Sequence, residues 1–325
     1  MDSITKRKLS NEEIGILAVH AFGEKSQIKA VSELEDGWFN AIYLVTLNNG
    51  KEVVLKVSPN SDLKVLTYEE RIMETEVKIM RLLKQEYFLP IPEIYYYDSS
   101  RKIIDNEFYF MEKVVGVPYN QVKEELSPES RKKIEVQLGS LNRKINDVKN
   151  HSFGNIVIEN RRSKSWQDTF LNIVESLLKD GEEAEVKLPR SYSYIKELFE
   201  NNAAVLSVVK EPSLVHWDLH DGNIFINRDT NEVTGIIDFE RAFWGDPLIE
   251  FYFGDFCEKH NFLEGYGINL LEQDNSKIRR ILYDIYLGLI MVIECKYRKI
   301  EEPGHLNWTY TNLEQQIVKL ETELM

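Results

Sequence analysis

Apolar positions fall into two textures along the chain. Ser10-Asn11-Glu12-Glu13 reads as a capping box and predicts a helix that runs to Ala21 and stops at Gly23. Residues 41–47 and 52–57 are dense in β-branched and aromatic side chains. Asn48-Asn49-Gly50 between them tolerates positive φ, so the pair predicts a hairpin, closed by Pro59. Residues 68–83 place Ile72, Val77, Met80 and Leu83 on one face of a predicted helix, which Pro90 and Pro92 stop. Two more strands are expected at 93–97 and 108–111. After Gly116-Val117-Pro118 the spacing turns helical, over 128–149, 166–179, 192–209, 277–298 and 312–324. One strand-rich island interrupts it: residues 224–226 and 233–237, joined by the polar turn 227–232. The pattern predicts an α+β protein: a small β-rich lobe over residues 1–112, a connector over 113–118, and a larger, mostly helical lobe over 119–325.

Composition agrees with a globular chain of about two lobes. It has 325 residues, 43% apolar and 29% charged. Charge narrows the partners. Asp and Glu number 54 against 40 Lys and Arg, a formal net charge of −14, which repels a phosphate backbone. The basic clusters Lys6-Arg7-Lys8 and Arg161-Arg162-Ser163-Lys164 read as solvated surface, so no nucleic-acid partner is expected. Cys257 and Cys295 sit among apolar residues and read as buried thiols of a reducing compartment. The first residues lack the apolar core of a signal peptide. The most apolar run, 281–293, contains Asp284 and falls short of the ~20 residues that cross a bilayer. These features predict a soluble, cytoplasmic protein without a membrane partner. Oligomeric state is not legible, and a monomer fits.

The strand island carries the candidate chemistry. It reads Val215-His216-Trp217-Asp218-Leu219-His220-Asp221-Gly222-Asn223-Ile224, then Gly235-Ile236-Ile237-Asp238-Phe239. The spacing is His-x-Asp-x4-Asn, with a further Asp fifteen residues after the Asn, just past an apolar strand. Phosphoryl transfer needs this set of groups. One carboxylate meets an incoming hydroxyl, while a second carboxylate and an amide oxygen hold Mg²⁺ against nucleotide phosphates. A hairpin sets both ligands at the same end of two strands. The alternative is a polar loop in which Asp, Asn and Asp fall in this order by chance. Histidines 216 and 220 are poor Mg²⁺ ligands; His216 is expected to bond the loop, and His220 to pack or touch substrate.

These motifs resemble the aminoglycoside phosphotransferase family, which shares its fold with protein kinases and choline kinase-like enzymes. The similarity runs from about Ser32 to Phe253 and is sharpest over His216–Asp246. The resemblance implies a bilobal protein-kinase-like fold, with ATP or GTP as co-substrate and Mg²⁺ as cofactor. It implies Asp218 as catalytic base, Asn223 and Asp238 as metal ligands, and a structural Asp in Gly245-Asp246-Pro247. On the N-terminal side it implies Lys56, on the second hairpin strand, for the phosphates, and Glu76, in Glu76-Val77-Lys78, as its helix partner; Glu74 is the rival. Residues 110–116 resemble the hinge, where backbone groups of Glu112 and Val114 would face the adenine edge. Three departures stand out. The loop Gly-x-Gly-x-x-Gly is absent, leaving Gly37 alone to cover phosphates. Trp217 replaces a residue that is often small, and Glu240 stands where protein kinases have Gly.

The acceptor is less legible. Between Asp246 and Asn275 lie seven acids and one clear base, Lys259. An acidic cleft suits a polycation such as an aminoglycoside, and equally an amino sugar or amino alcohol. The alternative is a solvated acidic face. Candidate acceptor contacts are His220, Asp255, Glu258 and Glu264. Three functions compete: an antibiotic-modifying kinase, a metabolic kinase for an amino alcohol or sugar, and a nucleotide-binding module without turnover. All four of Lys56, Asp218, Asn223 and Asp238 are present, which ranks the third last.

Overall fold

The computed structural model describes residues 5–34, 39–255 and 259–325. Gly37, Cys257 and Glu258 lie outside the described residues. The chain opens with helix α1 (Asn11–Phe22), started by the Ser10–Glu13 capping box. Strands β1 (Ile28–Leu34), β2 (Ala41–Leu47) and β3 (Glu52–Val57) follow. Helix α2 (Ile72–Glu86), β4 (Ile94–Asp98) and β5 (Phe108–Glu112) complete an antiparallel sheet of order β1-β2-β3-β5-β4.

Side-chain alternation along β3 decides what this sheet presents on each face. Val53, Leu55 and Val57 point to α1, with Val45, Phe108 and Phe110. Val54 points the other way, into the main core with Met73, Val77 and Met80 of α2. Lys56 shares the Val54 face. It is the one charged residue in a run that is otherwise buried from Val53 to Val57, and it is only 4% exposed.

The chain leaves the sheet after Glu112 and runs through β6 (Val117–Pro118) to α3 (Tyr119–Val122) and α4 (Pro128–Asn146). Gly116 makes the crossing close. It has φ of 122°, and a Cβ there would lie 2.4 Å from the Ile226 carbonyl oxygen. Beyond come β7 (Phe153–Asn155), β8 (Arg162–Ser163), α5 (Trp166–Glu183), α6 (Tyr192–Asn202) and β9 (Ser213–Val215). The island forms β10 (Ile224–Asn227) and β11 (Glu232–Ile236), then β12 (Phe243–Gly245). Helices α7 (His260–Tyr266), α8 (Ser276–Tyr297) and α9 (Pro303–Glu323) end the chain. Two small sheets, β11-β10-β6 and β8-β7-β12-β9, frame the loops between them.

Several boundaries differ from the expectation. The helix predicted from 68 begins at Ile72, because Arg71 adopts a left-handed conformation (φ 58°) and residues 67–69 form a separate 3-10 turn. The helix predicted over 192–209 ends at Asn202 and continues as a 3-10 segment. Helix α9 starts at Pro303 rather than 312, where Glu302 accepts from the Gly304 and His305 amides. Strand β1 escaped the pattern because it is an edge strand with no buried residue, in which Lys29, Ala30, Ser32 and Leu34 are exposed and apolar and polar positions do not alternate.

Helices α4 and α7 touch through glycines. A Cβ at Gly139 would lie 2.0 Å from the Phe262 carbonyl oxygen, and one at Gly265 would lie 1.8 Å from that of Val136. Gly265→Ala must push the helices apart. It should cost on the order of 1–3 kcal/mol, read as an earlier urea midpoint, whereas Gly15→Ala inside α1, where a Cβ meets only Ile28 Cδ1 at 3.9 Å, should lose less.

Candidate functional site

Strand β9 feeds a loop over residues 216–220, and β11 delivers Ile237 and Asp238 beside it. Hydrogen bonds stitch the two together. The Ile237 amide donates to the Asn223 carbonyl at 3.0 Å, and the His216 ring nitrogen Nε2 lies 3.0 Å from the Ile237 carbonyl. Asn223 Nδ2 donates to the Asp218 carbonyl at 2.8 Å. That bond fixes the amide, so its oxygen is the atom left to offer. Burial pushes the His216 pKa down, keeping the ring neutral.

Both Trp217 and Asp238 hold left-handed backbone, at φ of 66° and 69°. For non-glycine residues this conformation is disfavoured and needs outside support. Glu250 supplies it. Its carboxylate is 1% exposed and accepts from the His216 amide (2.9 Å), the Trp217 amide (2.8 Å), Asn142 Nδ2 (3.0 Å) and Asn146 Nδ2 (3.0 Å). Helix α4 thus clamps the loop that carries Asp218.

Lys56 completes the site from the other lobe. Its Nζ lies 2.8 Å from Glu76 Oε2, 2.8 Å from Asp238 Oδ1 and 3.1 Å from Glu240 Oε2. Asn40 Nδ2 donates to Glu240 at 2.7 Å. Three carboxylates therefore share one ammonium. Burial would lower the Lys56 pKa, but Asp238, Glu240 and Glu76 raise it well above the usual value. Among the acids, burial lifts Glu76 to about 7, while Lys56 outweighs burial at Asp238 and holds it low. The oxygens of Glu76, Asp238 and Glu240 lie within 4.8 Å of one another. With Glu76 held by Lys56, the donors left are the carboxylates of Asp238 and Glu240 and the amide oxygen of Asn223, an all-oxygen set whose chemistry fits Mg²⁺.

Residues 30–271, more than half the chain, match the phosphotransferase enzyme family. The chain belongs to this family. Among solved structures, it is similar to the streptomycin–ATP–APH(2")-IIa ternary complex (TM-score 0.64, 18% identity, 95% of this chain and 97% of that one). It is also similar to a candidate fructosamine-3-kinase from Thermobifida fusca (TM-score 0.66, 17% identity, 94% and 100%). These likenesses concern the fold. A subtelomeric hrmA-associated cluster protein of Aspergillus fumigatus is 25% identical over 138 residues, covering 42% of this chain and 26% of that protein. A probable acyl-CoA dehydrogenase of Arabidopsis thaliana, IBR3, is 22% identical over 229 residues, 69% and 27%. The chain thus matches about a quarter of the length of these relatives.

The fold brings Asp218, Asn223, Asp238, Lys56 and Glu76 together. Glu74, the rival partner, instead pairs with Arg71 on the surface. The Glu112 amide is taken by the Glu93 carbonyl at 2.8 Å, and Val114 packs over Gly235. Asp246 binds Arg279, Tyr283 and the Leu248 amide, deep in the helical lobe. His220 Nδ1 accepts from the Gly222 amide, and its ring faces Phe251. Asp255 pairs with Lys319 and Glu264 with Lys132, both at the surface. Neither lines the cavity of about 210 Å³ beside Asp218, whose walls include Trp217, Arg241, Asp284 and Glu294. The resemblance marked Glu240 only as a departure, and sequence spacing missed Arg241, Asn40 and Glu250. Glu240 and Arg241 directly follow the Asp238 motif; Asn40 and Glu250 give no local signal.

Two outcomes follow from this geometry. Glu250→Gln sets an amide donor against the Trp217 amide and leaves a buried donor unpaired, so it should lower stability by about 1–3 kcal/mol in chemical unfolding. The Glu76 pKa, raised from 4.5 to about 7, makes stability present below 4.5 and lost as pH climbs to about 7, because the folded state binds the extra proton. Glu240, also raised by burial, acts in the same sense. The lowered His216 pKa acts in the opposite sense, so the test is differential: between pH 5 and pH 7.5 the metal-free wild type should lose melting temperature relative to Glu76→Gln.

Proposed function

We propose that the protein moves the γ-phosphate of ATP or GTP to a hydroxyl of a small molecule. The observation that carries this reading is the Lys56 ammonium bonded to Glu76 and Asp238 at the hairpin end where Asn223 is tied to Asp218. Residues 1–112 serve as the lobe that holds the nucleotide phosphates, 113–118 as the hinge, and 119–325 as the lobe that holds the loop and acceptor. Lys56, braced by Glu76, steadies the phosphates. With its amide taken by Glu93, Glu112 offers the nucleotide base its carbonyl, and Val114 its backbone groups. Asn223 and Asp238, with Glu240 beside them, would hold Mg²⁺, which when bound neutralises phosphate charge. Asp218 orients the acceptor hydroxyl and takes its proton as the oxygen attacks phosphorus. The loose transition state needs little covalent help, so positioning and charge do most of the catalysis.

The acceptor class follows from the cavity at Asp218. At about 210 Å³ it suits one sugar ring or an amino alcohol better than a whole aminoglycoside. A second cavity of about 370 Å³ lies between α2, α5 and β8. Trp217, Arg241 and Ile249 line both, so they form a partition. The Trp217 ring is stacked on Tyr286 at 5.5 Å and meets Tyr68 edge-on at 6.0 Å, which makes the partition rigid. This favours a metabolic kinase for an amino sugar or amino alcohol over an antibiotic-modifying kinase. The fold shared with the candidate fructosamine-3-kinase from Thermobifida accords with it.

An ADP-release screen over choline, amino sugars, fructosamines, aminoglycosides and macrolides tests both levels. Turnover should be found with a small acceptor, and Asp218→Asn should cut kcat about 10²–10⁴-fold while nucleotide affinity holds. A variant with full turnover would remove Asp218 from the mechanism. Asp238→Ala should weaken Mg²⁺–nucleotide binding, measured by calorimetry. Trp217→Ala should improve kcat/KM for aminoglycosides relative to the small acceptor; an unchanged ratio would reject the partition.

A further inference from the structure

Five alternating charges run from the lobe of Lys56 to the base. Glu69 Oε1 lies 2.8 Å from Arg298 Nη2, and Arg298 Nη1 lies 2.8 Å from Glu294 Oε1. Arg241 Nη2 lies 3.6 Å from Glu294 Oε2, and Arg241 Nε lies 3.8 Å from Asp218 Oδ2. Aromatic faces flank both arginines: Arg298 sits 5.3 Å from the Phe39 centroid and Arg241 5.5 Å from that of Tyr68. Phe39, Tyr68 and Glu69 belong to the lobe of Lys56. Arg298 and Glu294 close α8, and Arg241 follows the Asp238 turn. The links therefore cross between lobes.

The segment that begins the row is itself anchored. Thr67 donates to Asp180 of α5 through both its amide and its hydroxyl, each at 2.7 Å. It continues directly into α2, which carries Glu76. One stretch of chain thus meets the Lys56 cluster at one end and the charge row at the other. The two links at Arg241 are longer than hydrogen bonds, as catalytic contacts commonly are before substrate completes a site. Arg241 and Asp218 both line the acceptor cavity, whereas Glu69 does not.

We propose that Arg241 is a positioning residue for Asp218, held in place across the lobes by Glu294, Arg298 and Glu69. Its guanidinium keeps Asp218 Oδ2, which turns the other carboxylate oxygen to the acceptor hydroxyl. Because Glu69 and Tyr68 come from the opposite lobe, the base is set only when the lobes are closed. The inference rests on the phosphoryl-transfer reading above. A misaligned base costs rate steeply, on the order of a hundredfold for about 1 Å.

The test is steady-state ADP release on the best acceptor by wild type, Arg241→Met, Arg241→Lys, Glu69→Gln and the Arg241→Met/Glu69→Gln double variant. Nucleotide Kd and melting temperature are measured alongside, and kcat is taken per folded molecule. Arg241→Met should lower kcat about tenfold to a hundredfold with acceptor KM and nucleotide Kd unchanged. Arg241→Lys should recover part of it. Glu69→Gln should lower kcat in the same sense, and the double variant should be no slower than Arg241→Met alone. A wild-type kcat in Glu69→Gln, or losses that multiply in the double variant, overturns the proposal. So does a raised KM with kcat intact at Arg241→Met. Asp218→Asn separates the two readings. If it is inactive while Glu69→Gln is unaffected, only the positioning role falls; if it turns over like wild type, phosphoryl transfer at this site falls and the positioning role with it.

Discussion

One buried ammonium governs this structure. Lys56 stands in a buried run, Val53–Val57, that is otherwise apolar, and a lone charge there would be intolerable. Glu76 from α2 and Asp238 and Glu240 from the other lobe surround it. Removing any one partner unbalances a desolvated cluster, so the sheet, α2 and the Asp238 turn must be placed together. The cluster is also over-supplied with negative charge. Three carboxylates around one ammonium make a stable resting arrangement only if one of them is readily protonated, and Glu76 has the raised pKa that this demands. The same surplus is what a divalent cation with phosphates would balance.

The loops on the other side solve a different problem. Left-handed backbone at Trp217 and Asp238 aims side chains where ordinary strand ends would not, and each such residue costs of order 1–3 kcal/mol. The offset comes from a dense set of bonds to buried groups. Glu250 holds two consecutive loop amides, and a neutral His216 ring joins the loop to Ile237. Asn142 and Asn146, one helical turn apart on α4, hold Glu250 in turn. The backbone of the loop that carries Asp218 is therefore held from behind by helix α4 through Glu250.

Much of this was legible in the sequence, for physical reasons. The β2–β3 hairpin, the strand island and the capping box of α1 are local: period, turn chemistry and capping act within a few residues. Lys56 and Glu76 were legible because strand and helix patterns placed each, and the resemblance paired them. What stayed hidden depends on contacts far apart in the chain. Glu250 acts on residues 33 and 34 positions away, and Asn40 reaches 200 positions to Glu240. The acidic count over 246–275 misled in a different way. Asp255 and Glu264 are matched by lysines from α9 and α4 rather than turned to a cleft, because a net count cannot tell paired charge from free charge.

The wall of the acceptor cavity shows the same principle. Its acids, Asp218, Asp284 and Glu294, each have an arginine within 4 Å, so the cavity is close to balanced rather than strongly anionic. A balanced pocket discriminates by shape and hydrogen bonding, not by attracting a polycation. One oxygen of Asp284 is buried without a hydrogen-bond partner, and so is Arg280 Nε. Such groups cost free energy until something pairs with them. On the reading proposed above, selectivity would follow from how the cavity is walled and would not require the long-range field of an acidic protein.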